Sequence, residues 1–223
     1  MSTFGTLNIA RSGLFASQRA LNVVSKNIAN ANTIGYTRQR IIQSPLQFDS
    51  GVATIGIEQI RDTFLDTQFR NEYSLLSEWG IKADTLSSME DYLQEPSEYG
   101  LNNKLNTFFN SIQELSNDPT AKELRAQLLQ NALSLTDMLH YTYNKMTELQ
   151  QNQDLQIKAT VSQINNMAVT LQELNSQIRL AEVSGQKEND LRDQRNILLD
   201  KLAQFVDIKT IESSDGTVSV AIG

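Results

Sequence analysis

Residues 120–184 form the longest stretch without a helix breaker; it begins TAKELRAQLLQNALSL and contains no proline or glycine over 65 residues. Apolar side chains recur along it at intervals of three, four or seven, the spacing of an amphipathic α-helix. The polar residues 150–154, QQNQD, interrupt the pattern, so we expect either a rod-like helix or a run that bends or folds back there. The apolar positions are Leu124, Leu128, Leu135, Leu139, Ile157, Val161, Ile164, Ala168, Leu171 and Ile178.

Two further helices are predicted before this stretch. Asp62 or Thr63 is expected to cap a helix that runs to about Gln94, because short polar side chains accept hydrogen bonds from the first backbone N–H groups of a helix. A shorter helix follows near residues 101–115, with its apolar side chains on one face. Asp118 is expected to be the N-cap of the long helix after it, since proline follows at the first helical position.

The N-terminal segment carries a narrow apolar stripe on a helix predicted over about residues 6–31. Its positions alternate by three and four for more than three heptads, and the other faces are polar. This pattern favours a coiled coil with another chain over a helix packed only on its own domain. The members of the apolar stripe are Leu7, Ala10, Leu14, Ser17, Leu21, Val24, Ile28 and Ala31.

The first helix is followed by the sequence NIANANTIGY, residues 27–36. Asparagine tolerates the left-handed backbone conformation that ends a helix, and glycine adopts it freely. We therefore expect a helix stop and a turn that sets the direction in which the chain leaves the helix. The candidate assembly residues are five from the stripe and five from this turn: Leu7, Leu14, Leu21, Val24, Ile28, Asn27, Asn30, Asn32, Gly35 and Tyr36.

Residues 37–60 are predicted to be a long extended connection with one or two weak strands. Pro45, Gly51 and Gly56 interrupt any helix there. A stretch of this length without regular structure is unusual in a compact domain, so we expect it to lie against a neighbouring molecule.

At the C-terminal side, Ser184-Gly185 ends the long run and a helix is predicted over about residues 189–204. The apolar period then changes to two on either side of the turn signal Ser214-Asp215-Gly216, which indicates a β-hairpin. A lone two-stranded hairpin is only marginally stable in water. We therefore expect the chain to be part of something longer.

These patterns predict a mainly α fold, an elongated helical bundle or coiled coil with a long extended connection near the N-terminus and a small β region at the C-terminus. The same patterns divide the chain into three predicted segments. Residues 1–61 are an assembly segment, residues 62–205 are an elongated helical domain, and residues 206–223 begin a β-rich outer domain.

The charge and hydropathy of the sequence limit the kinds of partner that the chain is expected to bind. The net charge is −7, but residues 1–61 contain six Lys or Arg and two Asp or Glu, so the remainder carries −11. The six basic residues are scattered and do not form the dense stripe that binds phosphates, so we expect no nucleic-acid partner. No run of about 18 apolar residues is present, so no membrane insertion is expected. The N-terminus lacks the pattern of a cleaved signal peptide.

The sequence offers little for catalysis. It has one histidine, His140, in the middle of a predicted helix, and no cysteine. Zinc sites need clustered His or Cys ligands, and no Gly-rich phosphate loop is present. Asp190, Asp193 and Arg195 have helical spacing, which is typical of a solvated helix face. We predict no catalytic, cofactor-binding or metal-binding residues and no cofactor; a hydrolase using two carboxylates is the weakest alternative.

The sequence resembles a known family at several places. Ser12-Gly13-Leu14 and residues 27–36 resemble the N-terminal signature of bacterial flagellar rod, hook and hook-associated proteins. Within that family, YTRQ at residues 36–39, IRDTFLDTQFR at residues 60–70 and LRDQR at residues 191–195 resemble the hook-associated protein 1 group, the hook–filament junction proteins. The resemblance covers nearly the whole chain and corresponds to the N-terminal portion of such a protein.

The resemblance implies a structural subunit of the flagellum and not an enzyme. It implies helix-mediated self-assembly, with copies of the chain itself, the hook protein, the next hook-associated protein and the export machinery as partners. It further implies type III export without a cleaved signal peptide and an extracellular location on the flagellum. The alternatives are a hook or rod subunit, against which the long helical run argues, and a secreted helical adaptor or effector protein.

Overall fold

The computed structural model describes residues 3–47, 51–95 and 97–223. The described residues form five α-helices and two small antiparallel sheets, so the predicted mainly α class is confirmed. The elements are α1 (Thr3–Ala29), β1 (Gln39–Pro45), β2 (Val52–Gln59), α2 (Thr63–Leu93), α3 (Leu101–Asn117), α4 (Lys122–Ala181), a short 3-10 turn (Glu182–Ser184), α5 (Asn189–Leu202), β3 (Ile208–Glu212) and β4 (Val218–Ile222).

The chain divides into two compact units. Unit 1 comprises Met1–Leu75 together with Gln163–Gly223, and unit 2 comprises Leu76–Ser162. Unit 1 therefore combines both ends of the sequence. No described helix is both long and apolar enough to cross a membrane.

The apolar core of unit 1 lies where the end of α4, helix α5 and the β3–β4 hairpin meet. Each of its larger side chains contributes about 1.5–3 kcal/mol by leaving water. This burial supplies the support that a two-stranded hairpin lacks when isolated. The turn between the strands contains Gly216 at φ +80°, as the sequence predicts for this hairpin. The core residues are Leu171, Leu199, Leu202, Ala203, Ile208 and Val218.

The N-terminal connection is more regular than the sequence indicates. Strands β1 and β2 pair along their whole length, from Gln39 opposite Gln59 to Pro45 opposite Val52, with one irregularity after Ile42. Pro45 fits because it is the last paired residue of an edge strand, where a missing N–H is tolerated. The prediction of weak strands in an extended connection is thus corrected to one paired hairpin. Residues 48–50 lie outside the described residues.

Helix α2 begins where its cap was predicted. The Oδ1 atom of Asp62 accepts hydrogen bonds from the backbone N–H groups of Phe64 at 2.9 Å and Leu65 at 3.5 Å. Asp118 is not the N-cap of α4, contrary to the prediction, because α4 begins only at Lys122. Asp118 instead accepts from the N–H and hydroxyl of Thr120 and so caps the turn before the helix.

Helix α4 runs for 60 residues and passes through residues 150–154 without a break. The expected fold-back in this polar sequence is therefore wrong, because one helix continues through it. Glutamine has good helix propensity, and four of the five residues are exposed, so their polarity is satisfied by water without a turn. In the part of unit 2 that the structure describes, the most buried side chains are Leu135, Met138 and Ser111.

Candidate assembly interface

Helix α1 presents one face to its own chain. Ala16 and Val23 are buried on that face, where α1 packs against the β1–β2 hairpin. Ser12 lies on the same side, and its hydroxyl accepts a hydrogen bond from the N–H of Val52 at 3.1 Å. Small side chains on this face let the helix and the hairpin approach closely, so α1 has a partner inside the chain that its apolar stripe did not reveal.

The opposite face of α1 carries the apolar stripe. Its five large members, predicted as assembly residues, have exposed fractions between 50% and 72%. Leucine, valine and isoleucine side chains left in water at this spacing form a continuous surface for another helix. The structure thus places all five on one exposed stripe. They are Leu7, Leu14, Leu21, Val24 and Ile28.

Asn27 joins the end of α1 to the first strand. Its amide nitrogen donates to the carbonyl of Gln39 at 2.8 Å, and its Oδ1 atom accepts from the N–H of Gln39 at 2.9 Å. The Tyr36 hydroxyl also donates to Oδ1, at 2.8 Å. One side chain therefore satisfies both backbone groups of a buried residue and fixes the first strand on the helix.

Asn30 ends α1 in the way that the sequence predicts. Its amide nitrogen donates to the carbonyl of Lys26 at 3.0 Å, and its Oδ1 atom accepts from the Thr33 hydroxyl at 3.2 Å. The Lys26 carbonyl also accepts from the backbone N–H of Asn30 at 3.1 Å, so Asn30 closes the last turn of the helix with both its backbone and its side chain. Asn32 is exposed.

Gly35 is required by both its conformation and its surroundings. Its φ is +81°, in the left-handed region, and a Cβ there would lie 2.2 Å from Cδ1 of Ile197 on α5. Burial raises the pKa of the neighbouring Tyr36 hydroxyl; Lys26 opposes this rise, and Asp190 and Asp193 add to it. The turn is therefore packed on α5, a helix more than 150 residues later in the sequence.

Helix α5 contacts the N-terminal segments through its acidic side. Oδ2 of Asp193 accepts from the N–H of Thr37 at 3.1 Å, and Oδ1 accepts from the side-chain amide of Gln59 at 2.8 Å. Asp190 forms an ion pair with Lys26 of α1 at 2.8 Å. The prediction of a solvated face is wrong for Asp193, which is buried because these donors surround it.

The basic side of α5 contacts the C-terminal hairpin and the 3-10 turn that follows α4. Arg192 donates to both carboxylate oxygens of Glu182, at 2.6 and 2.7 Å, and to Glu212 at 2.6 Å. The planar guanidinium group thus bonds both oxygens of one carboxylate, and this bidentate arrangement is among the strongest that an ion pair can have. The Arg192 hydrogen bonds lower the pKa of Glu182 below its ordinary value, and the same bonds raise the pKa of Arg192.

Arg195 is also buried, with 2% exposure, which again corrects the expectation of a solvated face. It donates to the carbonyl of Gly216 in the β3–β4 turn and to Oδ1 of Asn175 at 3.4 Å. Asn175 pairs in turn with the N–H and carbonyl of Val218, at 3.0 and 2.9 Å. Burial lowers the pKa of Arg195 below the ordinary arginine value.

The start of α2 is attached to the same helix. Arg70 is buried and donates to Oδ1 of Asp200 at 2.8 Å. Arg61 donates to Asp66 at 2.6 Å and lies 3.8 Å from Asp200. Helix α5 therefore contacts α1, the β1–β2 hairpin, the start of α2, helix α4 and the β3–β4 hairpin through what we call the polar network. Its members on α5 are Asn189, Asp190, Arg192, Asp193, Arg195 and Asp200.

This network could not be predicted from the sequence, because most of its bonds join residues 130 to 164 positions apart in the chain. The only signal was an unusual density of acidic and basic residues in residues 188–201, which fits a solvated helix equally well. Among the described residues, no three His, Cys, Asp or Glu side chains lie close enough to hold a metal ion. The arrangement positions α1 and its exposed stripe.

Comparison with known proteins identifies the class first. Residues 7–37, which contain most of α1 and the asparagine-rich turn, match the family model described as flagella basal body rod protein. The N-terminal segment is thus similar to that of flagellar rod proteins. Residues 86–223 match the model described as the flagellar hook-associated protein FlgK helical domain. Since that match covers more than half of the chain, the chain belongs to the FlgK family, as the sequence predicts.

Two curated relatives agree with this family. The chain is 37% identical, over 99% of its length, to flagellar hook-associated protein 1 of Bacillus subtilis, of which it covers 48%. It is 31% identical, over 97% of its length, to the Salmonella typhimurium protein of the same name, of which it covers 41%. The chain thus spans just under half the length of these relatives.

The fold is also similar to that of the flagellar hook junction protein FlgK from Burkholderia pseudomallei. The TM-score is 0.53 at 24% sequence identity, over 70% of this chain and 27% of that one.

Proposed function

We propose that this chain is a structural subunit of the bacterial flagellum that forms the junction between hook and filament by helix-mediated self-assembly. The observation that carries the proposal is the pair of opposite faces on α1. One face is packed on the β1–β2 hairpin, whereas the other leaves five large apolar side chains in water. Such a stripe is unfavourable in a monomer and favourable in an assembly.

The apolar stripe would bury against helices of neighbouring subunits. Each fully buried Leu, Val or Ile contributes about 1.5–3 kcal/mol. Repetition of the contact around a symmetric assembly adds these contributions over many subunits. The five turn residues, Asn27, Asn30, Asn32, Gly35 and Tyr36, would set the direction of the stripe relative to the rest of unit 1.

The partners follow from the family and are part of the same proposal. They are copies of the chain itself, the hook protein, the next hook-associated protein and the flagellar export machinery. The subunit would act outside the cell, on the flagellum, after export without a cleaved signal peptide. The names of the relatives, hook-associated protein 1 and hook junction protein, support a position at the junction over one along the hook or rod.

The position can be tested by immunogold electron microscopy of cells of the source organism, with an antibody against residues 120–184. We expect gold confined to the boundary between hook and filament. Gold along the hook would instead indicate a hook subunit, and cells without flagellar gold would indicate a secreted adaptor.

The role of the stripe needs a separate test. We expect Leu14→Asn with Leu21→Asn to abolish self-association in sedimentation velocity experiments, because polar groups would replace the centre of the stripe. Phe15→Asn is a matched control, since Phe15 is 57% exposed but lies off the stripe. Equal loss in the control would show that the stripe has no special role.

A further inference from the structure

The apolar core of unit 1 is built by only one of its two halves. Its buried members, and the partly buried side chains packed on them, all lie between residues 164 and 220. None of the described residues of the N-terminal half belongs to this cluster. The half from Gln163 to Gly223, which we call the base, therefore has a core of its own, to which the N-terminal half adds no side chain.

The N-terminal helix and hairpin are bonded to each other at both ends of their contact. The Ser12 hydroxyl of α1 accepts from a backbone N–H of β2 at 3.1 Å. Farther along α1, Asn27 pairs with both backbone groups of Gln39 on β1, at 2.8 and 2.9 Å. Helix α1 and strands β1 and β2 therefore form one body, residues 3–47 and 51–59, which we call the arm.

Polar groups join the arm to the base. Asp193 of α5 accepts from the Thr37 N–H at 3.1 Å and from the Gln59 side-chain amide at 2.8 Å. Asp190 pairs with Lys26 at 2.8 Å, and these two side chains are 59% and 42% exposed. An exposed ion pair adds little to stability, because water solvates both charges when the pair opens.

The arm and the base do not pack closely beside these bonds. A cleft of about 500 Å³ lies between α1, β2 and residues 186–190. Asn189, which lines the cleft, donates to the Ile57 carbonyl at 3.1 Å. Ile197 of α5 meets the arm at Gly35, a residue without a side chain to bury. Because burial of apolar surface is the main favourable term in packing, the contact between arm and base is weak.

A pivot lies where the arm meets α2. Residues 60–62 have no regular structure, and Arg61 makes a long hydrogen bond to the Thr37 hydroxyl, at 3.3 Å. Beyond the pivot, α2 is held to the base by the ion pair of Arg70 with Asp200, at 2.8 Å. Rotation about the backbone of residues 60–62 would therefore move the arm while the apolar core and α2 keep their contacts.

We propose that the arm is a hinged element that undocks from α5 as one folded body, and that Asp190 and Asp193 are the latch that holds it closed. Local opening of this kind is typical of elements with few buried apolar contacts. The undocking does not depend on the proposed function. If that function holds, the apolar stripe of α1 is carried on a movable body, which can turn toward a neighbouring helix before the latch closes.

Pulsed electron–electron double resonance on the full chain tests the hinge, because the sequence has no cysteine to interfere with spin labelling. One label pair joins the arm to the base, at Gln18→Cys and Lys209→Cys, which replace exposed residues. A second pair lies inside the arm, at Gln18→Cys and Ser44→Cys. Labelled chains are diluted with unlabelled chains, so that only distances within one chain are recorded.

The latch variant is Asp190→Ala with Asp193→Ala. We expect it to raise the population of long arm-to-base distances about tenfold, because the docked form then leaves the Thr37 N–H and the Gln59 amide without acceptors that water supplies after undocking. The distance within the arm should stay the same. Unchanged arm-to-base distances would overturn the proposal. A broadened distance within the arm would also overturn it, because the arm would then unfold instead of undocking.

The matched control is Glu173→Ala with Asp207→Ala. It removes two exposed carboxylates from the base outside the latch, so the change in net charge is the same. We expect both label pairs to keep the distances of the unmodified chain. An equal rise of long distances in the control would assign the effect to net charge and contradict the latch.

Failure of the hinge can be separated from failure of the proposed function. The same distances are measured with Leu14→Asn and Leu21→Asn present, in a chain whose stripe is disrupted. An undocked population in that chain supports the hinge whatever the stripe does in assembly. Unchanged distances in the latch variant, together with loss of self-association in the Leu14 and Leu21 variant, would reject the hinge and leave the proposed function standing.

Discussion

Unit 1 and unit 2 differ in the range of their side-chain interactions. In unit 1, Lys26 pairs with Asp190, Thr37 with Asp193 and Arg70 with Asp200, across sequence separations of 130 to 164. In the described part of unit 2, the side-chain hydrogen bond with the greatest sequence separation joins Glu114 to Gln127, which are only 13 positions apart.

The difference shows which interactions specify each unit. Unit 2 follows from helix periodicity and local caps, and its ion pairs Glu78–Lys82 and Lys145–Glu148 lie on the surface. Unit 1 buries charged groups, which is favourable only when every partner is in place. We therefore expect unit 1 to be sensitive to single polar substitutions that unit 2 tolerates.

The largest effect is expected for Arg192→Met. It leaves the partly buried carboxylate of Glu182 without its partner and should cost about 3 kcal/mol of unfolding free energy. Lys82→Met in unit 2 is the matched control, because that ion pair is about half exposed and should cost less than about 1 kcal/mol. Urea unfolding measures both, and hydrogen exchange shows which unit loses protection. Similar costs would contradict the difference between the units.

Gly35→Ala should have the next largest effect, about 2–3 kcal/mol, from backbone strain plus a clash with Ile197. Gly185→Ala separates the two causes: Gly185 has the same φ of +81° but open space around its Cβ position. It should lose only about 1 kcal/mol. Adding Ile197→Ala should make the Gly35→Ala penalty smaller. A double-mutant cycle by urea unfolding measures this, and additive costs would exclude contact between the turn and α5.

A smaller effect is expected on acidification. The Arg192 hydrogen bonds hold the pKa of Glu182 below its ordinary value of 4.5. The folded state therefore gains stability from this carboxylate above pH 4.5, and loses it as the pH falls through the lower, folded-state pKa.

The urea concentration at the midpoint of unfolding, measured as a function of pH, tests whether ionised Glu182 stabilises the folded state. We expect Glu182→Gln to lower stability at neutral pH by about 1–2 kcal/mol and to flatten the acid branch. Glu148→Gln, at an exposed ion pair of unit 2, should leave the profile nearly unchanged. An acid branch that is equally steep in all three proteins would mean that Glu182 is not its source.

The sequence by itself determined the helices, the Asp62 cap, the C-terminal hairpin and the family. These depend on local signals: apolar periodicity, the Asp62 cap, and the turn residues of NIANANTIGY and Ser214-Asp215-Gly216. The exposed apolar stripe was also predictable, because a helix fixes which residues share a face.

Only the tertiary structure decided what the other face of α1 contacts and what the LRDQR sequence of α5 does. Asp193 and Arg195 have the spacing of a solvated helix, yet Thr37, Gln59 and Gly216 surround them in the fold. The burial of a charge depends on partners far away in the chain, and helical periodicity carries no information about them. For the same reason, the sequence could not show that residues 1–75 and 163–223 form one unit.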